Sequence, residues 1–334
     1  MDPVSQGALG ALAGASIARK SSVRQAALIG WAAGMLPDAD IFISSEKDPL
    51  LSLEYHRHFS HALIFIPVGS LVCALVFWLL TGRWWKLSFV DISKCSLAGF
   101  MTAGLLDACT SYGTRLYWPF SDERVAWNII SIVDPVFTGG MLIVLAIAVL
   151  RKRSSWARGA FVFVSAYLLL GVVQRERTQD LQQQLADSRG HSSYTRAIVK
   201  PSLGNQVLWR SLYQHGDRFY VDAIRTGLVG TPRVSVSVLK LQALKESLPE
   251  SSMLARDLDR FDHFSNGYLA WHPQHEDVIG DLRYAALPQS VKPLWGIRVK
   301  RKVPNEHVSF EGFRSVDAEE RKTFMQMLKG EDLP

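Results

Sequence analysis

Residues 62–82 read ALIFIPVGSLVCALVFWLLTG, 21 consecutive positions without a charge. At about 1.5 Å per residue, a helix of that length crosses the roughly 30 Å hydrocarbon core of a bilayer. Working outward, residues 135–150 and 159–174 are two further uncharged runs of 16 residues each, enough to span when their polar ends reach the interface. Three shorter segments, 3–18, 25–37 and 95–106, are rich in Gly and Ala. Small side chains let such helices pack closely. The pattern predicts six short helices, the first two read alternatively as a shallow re-entrant hairpin.

The rest of the chain is different. Residues 1–174 carry 14 Lys+Arg and 11 Asp+Glu, whereas the shorter stretch 175–334 carries 23 and 20. Residues 174–189 (QRERTQDLQQQLADSR) form a polar helical linker. After it come period-2 or β-rich runs at 219–224, 234–241, 268–272, 277–284 and 294–300, and a charged helix at 317–329. The fold class expected is an α-helical polytopic membrane domain (1–174), a linker helix (175–200), and a small α+β, mainly antiparallel-sheet soluble domain (201–334).

Composition narrows the function. The net charge of +6 divides evenly, +3 on each side of residue 174, and no basic stripe interleaves with aromatics. No nucleic-acid partner is expected; the partner implied is the lipid bilayer. The three cysteines, Cys73, Cys95 and Cys109, lie in the apolar half and form no CxxC, which excludes a zinc ribbon and a disulfide framework in the tail. Met1-Asp2-Pro3 places no basic residue before the first apolar stretch, so no cleavable signal peptide is expected. On alternate sides of the helices, ten basic residues (Arg19, Lys20, Arg24, Arg83, Lys86, Lys94, Arg151, Lys152, Arg153, Arg158) oppose four (Lys47, Arg57, Arg115, Arg124). The richer side is cytoplasmic by the positive-inside rule. The tail then emerges outside the cytoplasm.

Polar residues beside a bilayer need a reason. Asp38 and Asp40 (PDAD) end the second segment; His56, Arg57, His58 and His61 (HRHFSH) open the third; Asp107 and Thr110 (DACTSYG) end the fourth; Asp134 opens the fifth. All fall on the non-cytoplasmic side. Carboxylates and imidazoles from separate helices at one depth are what a metal site needs, and mixed Asp/His ligation suits Zn²⁺, Mn²⁺ or Fe²⁺. His56 and His61 are five apart and cannot share a helical face; they converge only if His56 sits in the preceding loop. Asp38 and Asp40 point the same way only if the backbone there is extended.

At PDAD, HRHFSH and DACTSYG the chain resembles the YdjM-like family of inner-membrane, metal-dependent hydrolases over roughly residues 1–140. Its motifs are PDxD, HRxxTH and HxxxDxxTxxG. Ser60 stands where Thr is commoner, Ala103 where the third motif has His, and Gln6 where related sequences have an early His. The resemblance implies Asp38, Asp40, His56, His61 and Asp107 as ligands, with His58, Asp134 and Gln6 as weaker candidates. The two departures imply one ion where relatives hold two, or none. Arg57 would grip a substrate phosphate or carboxylate through its planar fork, with Thr110 beside it. The activity expected is hydrolysis of a lipid headgroup or other phosphoester at the extracytoplasmic face. The alternative is a catalytically degenerate anchor whose tail binds a protein partner.

Overall fold

The computed structural model describes residues 1–226, 233–237, 241–249 and 251–331. The chain divides into two compact units: residues 1–42, 55–173 and 203–205 in one, and 43–54, 174–202 and 206–334 in the other.

The first unit is helical: α1 (Pro3–Ile17), α2 (Val23–Met35), then, after the one-turn α3 (Leu51–Tyr55), α4 (Ile66–Trp85), α5 (Phe89–Cys109), α6 (Pro135–Arg151) and the first part of α7 (Ser154–Ser188). Local chemistry sets the helix starts. Asp2, Ser88 and Asp134 accept from the backbone N–H groups of Ser5, Asp91 and Phe137, and Pro3 and Pro135 occupy first-turn positions where no N–H is needed. Leu63–Gly82, Phe89–Ala108 and the 35-residue α7 are long and apolar enough to cross a membrane; Pro135–Arg151 is a shorter apolar helix. On α4, Leu79 and Leu80 are 65% and 66% exposed, and Val68, Leu71 and Val72 also face outward. A face this apolar belongs in lipid. At 15 and 13 residues, α1 and α2 are about 22 and 20 Å long, less than a hydrocarbon core.

Glycine brings α1, α2 and α5 together. A Cβ on Gly10 would stand 2.3 Å from the Gly30 carbonyl oxygen, and one on Gly99 2.4 Å from the same atom. Only backbone against backbone fits there. α1 then packs through Leu9 and Leu12 against Phe137, Met141 and Leu145 of α6 and Ala157, Ala160 and Val164 of α7.

The second unit holds two antiparallel four-stranded meanders. One is β1 (Arg196–Pro201), β2 (Leu208–His215), β3 (Arg218–Arg225) and β4 (Arg233–Ser237); the other is β5 (Leu269–His272), β6 (His275–Asp281), β7 (Trp295–Arg298) and β8 (Ser309–Gly312). His215 pairs with Arg218 across a two-residue loop in which Gly216 takes φ +58°, a left-handed conformation suited to glycine. Leu212, Phe219 and Val221 pack against Tyr268, Ala270 and Leu282. The helices are α8 (Leu241–Glu246), α9 (Met253–Ser265) and α10 (Ala318–Lys329), the last with a capping box between Asp317 and Glu320. Residues 43–54 belong to this unit: the Arg260 guanidinium of α9 pairs with Asp48 at 2.9 Å and Glu54 at 2.8 Å.

The strand runs expected at 219–224, 268–272, 277–284 and 294–300 overlap β3, β5, β6 and β7, although β6 ends at Asp281 and β7 at Arg298. Of the run 234–241, residues 238–240 lie outside the described residues and Leu241 opens α8. β1 and β2 were not expected. β2 is buried along Leu208–Tyr213, so no in–out alternation marks it, and Arg210 and Ser211 lie in its middle.

Candidate metal centre

Pro37 stops α2 from continuing as an α-helix, and Leu36–Phe42 tightens into a 3-10 turn. Asp38 and Asp40 therefore do not point the same way, as an extended backbone would have required. They reach the His61 ring from two sides: Asp38 Oδ1 lies 3.2 Å from Nε2 and Asp40 Oδ2 3.3 Å from Nδ1.

His56 follows the end of α3, in the loop, with Nδ1 2.9 Å from Asp40 Oδ1. Arg57 adopts φ +58°, uncommon for a residue with a side chain. Its neighbours hold it there: its N–H donates to Asp40 Oδ2 at 2.8 Å, and its carbonyl accepts from the Arg115 N–H and the Thr114 hydroxyl. The chain then enters the 3-10 turn Phe59–His61. The Ser60 hydroxyl donates to Asp40 Oδ2 at 2.6 Å and lies 3.0 Å from His61 Nδ1. Asp40 is thus the acceptor on which PDAD and HRHFSH close. Burial alone would raise its pKa, but the hydrogen bonds from His56, His61 and Ser60 outweigh it and hold the carboxyl well below the usual range.

Asp107 arrives from the last turn of α5. One turn earlier, Gly104 presents no side chain, and the His61 carbonyl approaches where a Cβ would lie 2.3 Å from it. That contact sets His61 Nε2 3.0 Å from Asp107 Oδ2. Gln6 of α1 donates through Nε2 to the same oxygen at 2.8 Å, and Arg57 Nη1 and the Met1 α-amino group approach Oδ1. Thr110 donates to the Asp107 carbonyl at 2.8 Å and lies 3.4 Å from Arg57 Nη1. Burial would lower the His61 pKa, but hydrogen bonds with Asp107, Asp38 and Asp40 raise it to about 10. The proton on that ring balances surrounding carboxylates, a role a divalent cation can take over.

Among the described residues, two sets of ligand atoms lie within 4.8 Å of one another: Asp38, His61 and Asp107, and Asp38, Asp40 and His56, with Asp38 common to both. Two carboxylates and one imidazole per set fit a divalent transition ion. Gln6 adds to the fit, since its Oε1, beside Asp107, is buried with no hydrogen-bond partner among the described residues.

The structure thus brings Asp38, Asp40, His56, His61 and Asp107 together, with Gln6, Arg57 and Thr110 around them. It does not bring His58 or Asp134 to them. His58 Nδ1 accepts from the Phe59 N–H, its Nε2 meets Arg115 Nη1 at 2.8 Å, and its ring packs near Trp118. Asp134 caps α6 and accepts from the Tyr167 hydroxyl. Arg57 is largely engaged within the protein: Nη2 donates to the Met1 carbonyl at 2.9 Å, Nη1 faces Asp107, and the guanidinium lies 5.0 Å from the Tyr112 ring centroid. Ser60 was not among the candidates, although a hydroxyl inside a His-rich motif is a recognisable orienting group.

Apolar helices that leave lipid-like faces exposed, together with a buried carboxylate–histidine cluster at their ends, define a membrane protein with an Asp/His group that could hold a metal ion. The chain belongs to the YdjM inner membrane protein family, whose match spans residues 1–178. It is also 29% identical over 102 residues to the inner membrane protein YbcI of Escherichia coli K12; that stretch covers 29% of this chain and the chain spans 57% of that protein's length. No solved structure matches the chain. Family and apolar helices together place it in the inner membrane.

Proposed function

We propose that the chain is a membrane-bound, metal-dependent hydrolase whose site acts on a lipid headgroup or another phosphoester at the extracytoplasmic face. The observation carrying this reading is the convergence of ligand atoms from Asp38, His61 and Asp107 within 4.8 Å, from three separate segments. A divalent cation there would supply Lewis-acid polarisation of the ester and a more acidic water. The protein's own part is orientation. Asp40 and Ser60 hold the His61 ring through Nδ1, which turns Nε2 toward Asp38 and Asp107. Thr110 and Arg57 fix the Asp107 end. The test is element analysis of detergent-purified protein. A bound divalent transition metal, lost in Asp38→Ala and His61→Ala, is expected; none bound and none taken up ends the reading.

Sidedness rests on charge. Ten basic residues against four favour a cytoplasmic Arg151-Lys152-Arg153, with the motif side and the C-terminal unit outside. Counting α1 and α2 as a hairpin removes two crossings and keeps the parity. A C-terminal alkaline phosphatase fusion should be active and a green fluorescent protein fusion dark; the reverse puts the tail in the cytoplasm.

Ala103 supports a second reading. It is fully buried one turn before Asp107, where the family motif has an imidazole, and it offers no donor atom. A degenerate anchor, with the C-terminal unit binding a protein partner, follows if Asp38→Ala and His61→Ala leave unchanged every phenotype that deletion of 175–334 alters.

A further inference from the structure

The second unit contains a concentration of buried positive charge unrelated to the candidate metal centre. Lys200 of β1 and Arg210 of β2 are direct cross-strand partners, and are 8% and 3% exposed. Like charges facing each other on adjacent strands oppose pairing, and burial removes the water that would screen them. The nearby carboxylate, Asp281, is fully buried and already engaged: it accepts from the backbone N–H of Arg283 at 3.0 Å and from Arg283 Nη2 at 2.7 Å. Three cations thus share one anion.

Their hydrogen bonds sharpen the imbalance. The terminal nitrogens of Arg210 donate to backbone carbonyls between Leu282 and Ser290, but its Nε is buried without a partner among the described residues. Lys200 Nζ rests 3.5 Å from the centroid of the Tyr284 ring, and among the described residues it makes no hydrogen bond or close ion pair, Asp281 acting on it only as a more distant charge. On the same tyrosine, 4.4 Å away between ring centroids, lies Trp295, whose Nε1–H is likewise buried and, among the described residues, unpaired. Buried N–H groups are nearly always paired, so two without acceptors among the described residues, at Arg210 Nε and Trp295 Nε1, beside an ammonium that also makes no hydrogen bond, call for an acceptor from outside the chain. Burial, and then the charge of Arg210, push the Lys200 ammonium well below the ordinary lysine value; an anion would restore its charge.

We propose that the C-terminal unit binds an oxyanion, a carboxylate or phosphate group of a small ligand, with Lys200 as its charged anchor and Arg210 and Trp295 as supporting donors beside Tyr284. Charge-assisted hydrogen bonds from a desolvated lysine give such a site its affinity, and the Tyr284 ring holds the ammonium in place.

The experiment uses the full chain in detergent, with radiolabelled inorganic phosphate and succinate as separate probes in equilibrium dialysis. Saturable binding of either probe is expected, weakened about tenfold or more by Lys200→Met and several-fold by Trp295→Phe, and unchanged by Asp38→Ala. Trp295→Phe keeps the aromatic contact while removing the N–H, so it serves even if Lys200→Met fails to fold. No saturable binding of either probe at millimolar concentration overturns the proposal, as does binding indifferent to both substitutions. Binding lost in Asp38→Ala assigns the anion to the metal centre instead and also overturns it.

Discussion

Gly104→Ala tests the geometry of the metal centre without touching a donor atom. The new Cβ would lie 2.3 Å from the His61 carbonyl oxygen, and backbone cannot swing away as a side chain can. Restoring an ordinary contact, which begins at 3.4 Å, requires the Phe59–His61 turn and α5 to separate by about 1 Å. The His61 Nε2–Asp107 Oδ2 distance, now 3.0 Å, would then approach 4 Å, too long for a hydrogen bond and beyond the roughly 3.3–3.6 Å that a tetrahedral ion with bonds of about 2.0–2.2 Å sets between two of its ligand atoms. Overpacking of this kind costs about 1–3 kcal/mol of stability. The cation affinity should fall by about 10- to 100-fold, as when a group that orients a ligand is lost. Gly139→Ala on α6 is the control, since a Cβ there meets nothing within 4 Å. Its effect should be neutral or stabilising by about 0.5 kcal/mol. The assay is dialysis against graded Zn²⁺ or Mn²⁺ followed by element analysis, with thermal unfolding in parallel. Native-like affinity in Gly104→Ala, or equal losses in both variants, would refute the view that helix packing assembles this site.

Asp40→Asn removes the charge and one of the two acceptor oxygens on which both motifs close; cation affinity should fall about 10- to 100-fold and stability by about 2–4 kcal/mol, and unchanged values in the same assays would contradict its place as hub. His58→Ala should leave the bound metal unaltered while costing about 1–2 kcal/mol through lost contacts with Arg115 and Trp118. A drop in metal content would return His58 to the ligand set. In chelator-treated protein the raised pKa of His61 contributes stability fully below its ordinary 6.5, and that contribution is lost as pH rises through about 10. Asp40, held low, acts in the opposite sense and loses its contribution only as pH falls below the usual carboxylate range. The thermal midpoint should therefore decline between pH 6.5 and 10, and a flat profile across that window would argue against the His61–carboxylate cluster.

Legibility varied with what each residue's burial required. Residues 62–82 declared themselves because lipid excludes charge over a full span, and Asp107, His61 and PDAD stood out because lipid makes them costly. The helix seam was visible only as Gly and Ala composition; that Gly10, Gly30 and Gly99 meet at one carbonyl is a fact of tertiary packing. In the C-terminal unit, β3, β5, β6 and β7 were readable from β-rich runs. β1 and β2 were hidden because Lys200 and Arg210 occupy buried strand positions where the pattern calls for apolar side chains. At the metal centre, the spacing of His56, His58 and His61 could not say which imidazoles converge. That depends on Arg57 at φ +58°, a backbone choice no periodicity reports.

That left-handed residue gives the motif a division of labour. In HRHFSH, the turn at Arg57 sends His56 back to Asp40 Oδ1 and leaves His58 against Arg115 and Trp118. The Arg57 N–H and the Ser60 hydroxyl meanwhile both reach Asp40 Oδ2. One carboxylate therefore fixes a strained backbone, a hydroxyl and two imidazoles, while Asp38, two residues earlier in a 3-10 turn, is released to face His61 Nε2. The spacing of PDxD follows from this. Two carboxylates separated by one residue on a 3-10 turn lie about 240° apart, so they can clasp opposite edges of a single imidazole. Asp107 then needs only to reach Nε2 beside Asp38, and Gly104 makes that approach possible. The pairing of an aspartate on Nε2 with an aspartate on Nδ1 gives each acid of PDAD its own contact with the His61 ring.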